Sequence, residues 1–559
     1  MTVAAPPRTR PTVTPRAATS VLVGLALLLA LEPYLIVTAA RIWAPSAMIQ
    51  EMFSHAFATP LLMAYGTHFV PVGHFFALYT ALPNVVANGV LASASAFDRA
   101  QAFTVGVYLL HGAVMFGLFL VGLRLTPALH ERLALLLVAF GQGWLMRFTN
   151  LRLTVNYDLL VNVIFMVLAL VWIWRTRSER QSGRGTAILL GVVAGVIVGT
   201  KYSILVLVGP FLLLMLLPRP PTLGTVVQQG LWSALTMVLT AAILMVAYFH
   251  GRLDFLASSL VELWAYHASP LVNQSTPFML LELRRWLDPS SYYFGLQALV
   301  TVWAVLLVAT AVLVSSRRGE TLLVVAASLF GAALLAYTFN QRRTGGTTLD
   351  VSMFLLFDVA VLATCWRDEV RRLVVPRVAV GLLCGAAVLS VVMMHPVALI
   401  DRLAANSQQA RAFEAWRQAR PDLPIVYYMS GFPQPLTFPT IDLYAFGGLQ
   451  ATPVTAAYMR DIIPRATFRG PQDGLLPGPQ LIVIPEYLEP VPETPADRVE
   501  WPDMYRSVDT QTTHPAFGER VRRLGANCQV FQFRGEDPTT LHHLWVYPTR
   551  VTACVDLGS

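Results

Sequence analysis

Between residues 18 and 397 the chain is a succession of apolar runs, and this repetition constrains its fold more than any other feature. A helix needs about 20 apolar residues to cross a bilayer. Runs near that length fall at 18–40, 102–123, 132–148, 154–174, 186–200, 202–217, 227–249, 293–315, 321–339, 350–366 and 377–397. Only 13% of the residues are charged, against about 25% in soluble domains. The expected fold is therefore a polytopic α-helical membrane protein of about eleven transmembrane helices. The first run is too long for a cleaved signal segment, and no small-residue cleavage site follows it. Two of the runs, 186–200 and 202–217, are short. They read either as two short helices meeting at Lys201 or as one broken element.

The arginines orient the spans. Arg8, Arg10 and Arg16 precede the first, Arg124 and Arg132 flank a later loop, and Arg175, Arg177, Arg180 and Arg184 crowd another. Arg317, Arg318, Arg367, Arg371, Arg372 and Arg377 fill two more. With eleven spans all of these fall on one face, which the positive-inside rule assigns to the cytoplasm. The net charge of +8 thus sets topology. No basic stretch carries the interleaved aromatics that nucleic-acid binding uses. The opposite face receives Lys201, the loops 41–101 and 250–292, and everything beyond 400. This places the protein in a bacterial-type cytoplasmic membrane as a multi-pass chain with a cytoplasmic N-terminus.

Three regions follow. Residues 1–17, rich in Pro, Thr and Arg, read as disordered. Residues 18–399 form the membrane domain. Its loop 41–101 carries an amphipathic stretch at 46–57, and loop 250–292 repeats the pattern with Phe255, Leu260, Leu263, Trp264 and Tyr266. Such segments lie along a membrane interface and would roof a cavity. From 400 to 559 the pattern is that of a small extracytoplasmic α/β domain, with a helix at 404–419 and buried strands at 424–429 and 481–485. It contains no phosphate-binding glycine loop and no nucleophile elbow. Cys528 and Cys554 read either as a disulfide on the oxidising face or as two buried thiols.

Lys201 is the one lysine in the chain; the other 39 basic residues are arginine. A charge at membrane depth costs several kcal/mol unless it lines a polar cavity, so it marks a functional site by default. Its bland alternative is an interfacial lysine that snorkels. Other polar groups share its face. Glu51, with His55, is placed to act as a general base in the first loop, or else is a solvated helix face. Asn156, Tyr157 and Asp158 sit at the mouth of the fourth span, where a carboxylate also suits a helix N-terminus. Arg342 and Arg343 run against the positive-inside trend. Paired guanidinia suit a phosphate or pyrophosphate, with headgroup anchoring as the alternative. Acids, a lysine and an arginine pair under two roofing loops fit a reaction whose leaving group is a lipid phosphate.

The segment Gly191-Val-Val-Ala-Gly195-Val-Ile-Val-Gly199-Thr-Lys201-Tyr202-Ser resembles the glycine-rich, Lys-Tyr-containing segment of the C-type (GT-C) glycosyltransferases, in the style of the protein mannosyltransferase and aminoarabinose transferase-like families. Asn156-Tyr157-Asp158 is similar to their acidic motif, Gly73-His74-Phe75-Phe76-Ala-Leu-Tyr79 to the return of their first loop, and Asp288-Pro-Ser-Ser-Tyr292 to the entry of their eighth span. The resemblance implies a GT-C-like fold, a polyprenyl-phosphate-linked sugar as donor, and an outer-face site. It also implies a first-loop carboxylate as base. Carried onto this chain, it makes Glu51 and Asp158 the catalytic acids. Lys201, Arg342 and Arg343 would hold the donor phosphate, and His55, His74, Asn156, Tyr202 and Tyr292 would line the substrate cavity. It does not settle whether a divalent metal takes part.

One departure stands out. The family places an acidic pair just after the first span, where this chain reads Ala39-Ala-Arg41-Ile-Trp-Ala-Pro45-Ser46. Two readings stay open. The first is a glycosyltransferase moving a sugar from a polyprenyl-phosphate donor to an extracytoplasmic glycan, lipid or protein. The second is a degenerate GT-C-fold protein that binds lipid or organises a membrane complex. A transporter fits less well, because the polar residues lie at the rim instead of at the midplane.

Overall fold

The computed structural model describes residues 16–39, 74–91, 93–94, 96–145, 158–178, 183–216, 222–248, 294–314, 323–331, 333, 345–365, 375–393, 396–428, 466–469, 475–487, 515–533 and 549–558. The helices are α1 (Arg16–Ala39), α2 (His74–Tyr79), α3 (Ala81–Val85), a π-turn (Val86–Val90), α4 (Ala96–Leu125), α5 (Leu129–Leu145), α6 (Asp158–Ser178) and α7 (Arg184–Leu216). After these come α8 (Leu223–Tyr248), α9 (Phe294–Val314), a helical segment at 323–331, α10 (Gly345–Cys365), α11 (Val375–Met393) and α12 (Pro396–Gln418). The apolar runs read from the sequence fall on these helices. Five of the described helices are long and apolar enough to cross a membrane: Ala18–Ile36, Gln101–Leu125, Asp158–Arg177, Arg184–Lys201 and Leu223–Val246. Four further apolar helices are shorter.

Helix α6 sets the length scale. Asp158 opens it and Arg177 lies in its last turn. At 1.5 Å per residue these ends stand about 29 Å apart, close to the thickness of a bilayer's hydrocarbon core. At the arginine end, Arg177 pairs with Glu131 at 2.6 Å. Glu131 also accepts the Ala128 backbone N–H, which caps α5. Arg132 donates to the Thr126 carbonyl at 2.7 Å and to the Thr19 hydroxyl at 2.8 Å, tying α1, α4 and α5 together.

Glycine lets α7 approach its neighbours. A methyl group at Gly191 would overlap the Ser233 carbonyl oxygen of α8, and at Gly195 would sit 2.7 Å from the Met237 carbonyl oxygen. Small residues four apart allow this backbone contact between membrane helices. The contact order shows that this arm of α7 runs parallel to α8, since 191 meets 233–236 and 195 meets 237–240.

The middle of the bundle is aromatic. Phe211 of α7 meets Trp172 of α6 edge-on at 6.3 Å and Phe357 of α10 at 5.3 Å, and Phe165 stands 5.6 Å from Phe357. Edge-on geometry sets the electropositive rim of one ring against the negative face of the next. Asp358, fully buried on α10, accepts hydrogen bonds from the Trp303 indole of α9 and from Ser328 Oγ at 2.7 Å. Those two donors satisfy a carboxylate that would otherwise be intolerable at this depth.

The C-terminal part is a five-stranded sheet in the order β2-β1-β3-β5-β4. Its strands are β1 (Ile425–Tyr428), β2 (Ala466–Arg469), β3 (Gln480–Tyr487), β4 (Cys528–Phe533) and β5 (Thr549–Asp556), with helix α13 (Pro515–Arg523) between β3 and β4. β1 runs parallel to β2 and β3, while β5 is antiparallel to β3 and β4. The expected strands at 424–429 and 481–485 correspond to β1 and β3; the helix expected at 404–419 is α12 and already begins at Pro396. Phe413 and Trp416 of α12 pack on Phe531 of β4 at 5.3 and 6.5 Å. Arg411 donates to Gln101 at the start of α4. Arg124 lies at the other end of α4, beside the Thr126–Arg132 contact, so the sheet sits at the Asp158 end of the bundle.

Cys528 and Cys554 face each other across β4 and β5 and are joined as a disulfide. It closes a 26-residue separation, for which chain entropy gives a stabilisation of about 3.5 kcal/mol. Two outcomes are expected. Without reductant, denatured protein should leave both residues closed to a thiol reagent, whereas Cys384 is a free cysteine. In thermal melts, Gly191→Ala should cost about 2 kcal/mol through overpacking, whereas Gly209→Ala, in open space, should be neutral or stabilise by up to about 1 kcal/mol.

Candidate functional site

The site begins where α7 loses its helical geometry. Lys201 has φ −162° and ψ 93°, an extended conformation within an otherwise helical stretch. The contacts on either side show what this does. The first arm starts at Arg184, a few residues after α6 ends, and arrives at Lys201, which pairs with Asp158 at the start of α6. The second arm then takes Phe211 to Trp172, deep along α6 toward its arginine end. The second arm therefore runs back the way the first came, and α7 is a V with Lys201 at its apex. Of the two sequence readings, this is the one with two short helices meeting at Lys201.

The V explains why the charge has a partner. Its arms of 17 and 15 residues span about 25 and 22 Å, and both are apolar up to the apex, so the charge stands where two apolar helices meet. A lone ammonium there is unfavourable, and one carboxylate answers it. Lys201 Nζ stands 3.3 Å from Asp158 Oδ1 and donates a hydrogen bond to it. The Asp158 side chain is 4% exposed and that of Lys201 13%, so the lysine is the more open member of the pair. Asp158 also opens α6, where the helix dipole favours a negative charge. Asp158 thus stands at a helix N-terminus, as one sequence reading expects, and also faces a cation.

Helix α2 closes one side. The ring of Phe75 occupies the space that any side chain at Gly199 would fill, two residues before Lys201. One turn along the same helix, the Tyr79 hydroxyl lies 3.3 Å from His111 Nδ1 of α4. Two segments that share no sequence proximity, His74–Tyr79 and Gly191–Lys201, are therefore neighbours. One turn below Asp158, Asn162 donates to the Ala139 carbonyl of α5 at 3.0 Å. Sequence reasoning assigns no role to Asn162, Tyr79 or His111. Asn162 follows Asp158 at helical spacing, and that is the signal available for it.

Of the other expected site residues, His74 opens α2 and Tyr202 follows Lys201 in α7, and only their backbone is described. Glu51, His55, Asn156, Tyr292, Arg342 and Arg343 lie outside the described residues. So do the amphipathic stretch at 46–57 and the loop 250–292. Among the described residues, no group of three or more His, Cys, Asp or Glu side chains is placed to hold a metal ion.

No family model and no curated protein sequence matches the chain. Among solved structures, it is similar to ArnT from Cupriavidus metallidurans bound to undecaprenyl phosphate. The similarity has 12% sequence identity, covers 96% of this chain and 98% of that one, and has a TM-score of 0.48.

The buried pair makes a sharp stability prediction. Removing one member strands the other's charge, so Lys201→Met and Asp158→Leu should each destabilise by about 3 kcal/mol. The double variant should be much less destabilised than the sum of the two. Additive losses in nanodisc melts would mean that the pair is not coupled.

Proposed function

We propose that the chain is a GT-C-type membrane glycosyltransferase that moves a sugar from a polyprenyl-phosphate donor to an acceptor on the extracytoplasmic face. The observation that carries this reading is the Lys201–Asp158 pair at the apex of the α7 V. A cation fixed where two apolar arms meet, and more open than its carboxylate partner, suits a phosphate that arrives on a lipid tail. Asp158, nearly sealed from solvent, orients the ammonium; it is a positioning residue. Lys201 holds the donor phosphate, joined by Arg342 and Arg343. Glu51 supplies the base from the first loop.

The transfer balances simply. Glu51 takes the proton of the acceptor hydroxyl, whose oxygen forms a bond to the anomeric carbon. The bond between that carbon and the phosphate oxygen breaks, and the electron pair leaves with the phosphate. Lys201 and the arginine pair stabilise the charge that develops on it; fixed charges aimed at a developing anion usually lower such a barrier more than any other device. On this reading the Asp158 end of the bundle and the sheet beside it face outward and the arginine end faces the cytoplasm, in line with the positive-inside rule. The sheet forms part of the outer domain at 400–559.

A second reading keeps the lipid and drops the chemistry. The stretch 39–46 carries no acid, and Asp158 is already committed to Lys201. Membranes containing the wild-type chain and a labelled polyprenyl-phosphate sugar separate the two readings. The transferase reading expects label in an envelope glycan, lipid or protein, reduced about 100-fold by Lys201→Ala, on the scale of losing one charge-stabilising donor, and by at least as much by Glu51→Gln. Binding of the donor with no transfer would leave the lipid-binding reading. Full transfer by Lys201→Ala would remove the site.

A further inference from the structure

The chain returns from its first loop to α4 by a path that periodicity does not show. From His74 to Val90 the backbone is helical almost throughout: α2, α3 and the π-turn follow one another, and the Asn84 N–H donates to the Thr80 carbonyl across the junction at 3.0 Å. A short turn follows, closed by the Ala94 N–H on the Leu91 carbonyl at 2.9 Å, and α4 begins at Ala96. Two contacts give the direction of this arm. Tyr79 meets His111 at 3.3 Å, and a methyl group at Gly106 would sit 3.1 Å from Pro83 Cβ. Later residues of the arm meet earlier residues of α4, so the two form an antiparallel hairpin. Gly106 and His111 both fall inside Gln101–Leu125, the part of α4 long and apolar enough to cross a membrane. At 1.5 Å per residue they lie about 8 and 15 Å from its Gln101 end. Phe75, at the deeper tip of the arm, fills the space beside Gly199, two residues before Lys201.

The arm is built inside out. Its polar Thr80 and Asn84 are 0% and 8% exposed, with Pro83 and Ala87 buried beside them. Its outward positions Leu82, Val85, Val86 and Val90, three and four apart, are 42–74% exposed. A helix that lies against water shows the opposite pattern. Residues 75–91 contain no charged side chain, whereas a helix lying in the membrane interface carries a charged or polar outer face. Helical pairing satisfies the backbone along the arm, the condition for any segment in hydrocarbon. An apolar stripe at the depth of a spanning helix, with its polar groups turned inward, calls for lipid tails as its cover. The ends of the neighbouring helices show that the arm does not cross. A methyl group at Gly112 would overlap the Ala30 carbonyl oxygen of α1, while Thr19 of α1 accepts from Arg132 at the arginine end. Helix α1 therefore leaves the bundle at the Gln101 end of α4, where the arm also finishes.

We propose that residues 74–90 are a re-entrant arm inserted in the bilayer beside the Gln101 half of α4, and that the stripe of Leu82, Val85, Val86 and Val90 is a contact surface for bilayer acyl chains. Through Phe75 this lipid-contacting arm forms one wall of the Lys201 apex. The surface does not depend on the transferase reading.

The test uses the full chain in nanodiscs of phosphatidylcholine that carries a photoreactive diazirine on its acyl chain. After irradiation, peptide mapping by mass spectrometry locates the lipid adducts, and hydroxyl-radical footprinting of the same discs reports contact with water. The expected result is lipid adducts on 82–90 as strong as on α8, whose Leu231, Leu235 and Ile243 are 50–66% exposed. Oxidation of Leu82 and Val90 should be as weak as on α8. Val530 and Leu557 in the sheet region, 50% and 68% exposed, should show the reverse, oxidation without lipid adducts. Leu82 and Val90 oxidised like Val530 would overturn the proposal and make the segment a roof over water. Protection from both reagents would overturn it as well, because another part of the chain or a second copy would then cover the stripe.

Discussion

One ion pair organises the molecule. Lys201 and Asp158 hold the apex of a helix that enters the bilayer, turns at a single extended residue and goes back. Both arms are apolar, so the lysine stands where two membrane-type helices meet. The apex therefore stays where an ammonium needs a partner, and the start of α6 supplies it. The neighbouring packing serves the same geometry. Gly191 and Gly195 let the first arm lie against α8, Gly199 admits Phe75 beside the apex, and Phe211 pins the second arm to α6 and α10.

The charges at the two ends of the bundle are of different kinds. At one end a single lysine, more open than its partner, faces Asp158; at the other, Arg177 pairs with Glu131. The ammonium is a compact point charge suited to a group that must bind and leave. The guanidinium is a planar fork suited to a carboxylate that stays. A chain whose only lysine occupies the turning point of its most constrained helix is consistent with that division.

Much of this was legible in the sequence, for physical reasons. Bilayer thickness fixes span length, so the apolar runs marked the helices. Charge asymmetry sorted the residues by end, and the structure places Lys201 and the C-terminal sheet at one end of the bundle with Arg124, Arg132, Arg175 and Arg177 at the other. Lys201 and Asp158 were each marked as costly charges. Their pairing was not legible, because it joins residues 43 apart through a reversal that periodicity does not show. Tyr79 and His111 escaped a role for the same reason: each is unremarkable on its own helix and gains meaning only from a contact between α2 and α4. In the sheet, β1 and β3 were visible as buried apolar runs. β4 (Cys-Gln-Val-Phe-Gln-Phe) and β5, which carries Arg550 and Thr552, are too polar to stand out before the disulfide brings them together.

The central claim is that Lys201 meets the phosphate of a lipid-linked donor, and the composition offers a direct way to see it. Because the chain has one lysine, labelling the lysine side-chain nitrogen gives a single protein ammonium resonance in nanodiscs. The account predicts that a synthetic polyprenyl phosphate shifts that resonance and brings phosphorus within dipolar contact of the labelled nitrogen, while the uncharged polyprenol does neither. An ammonium signal that ignores the phosphate at saturating concentration would contradict the account and leave the Lys201–Asp158 pair a purely structural one.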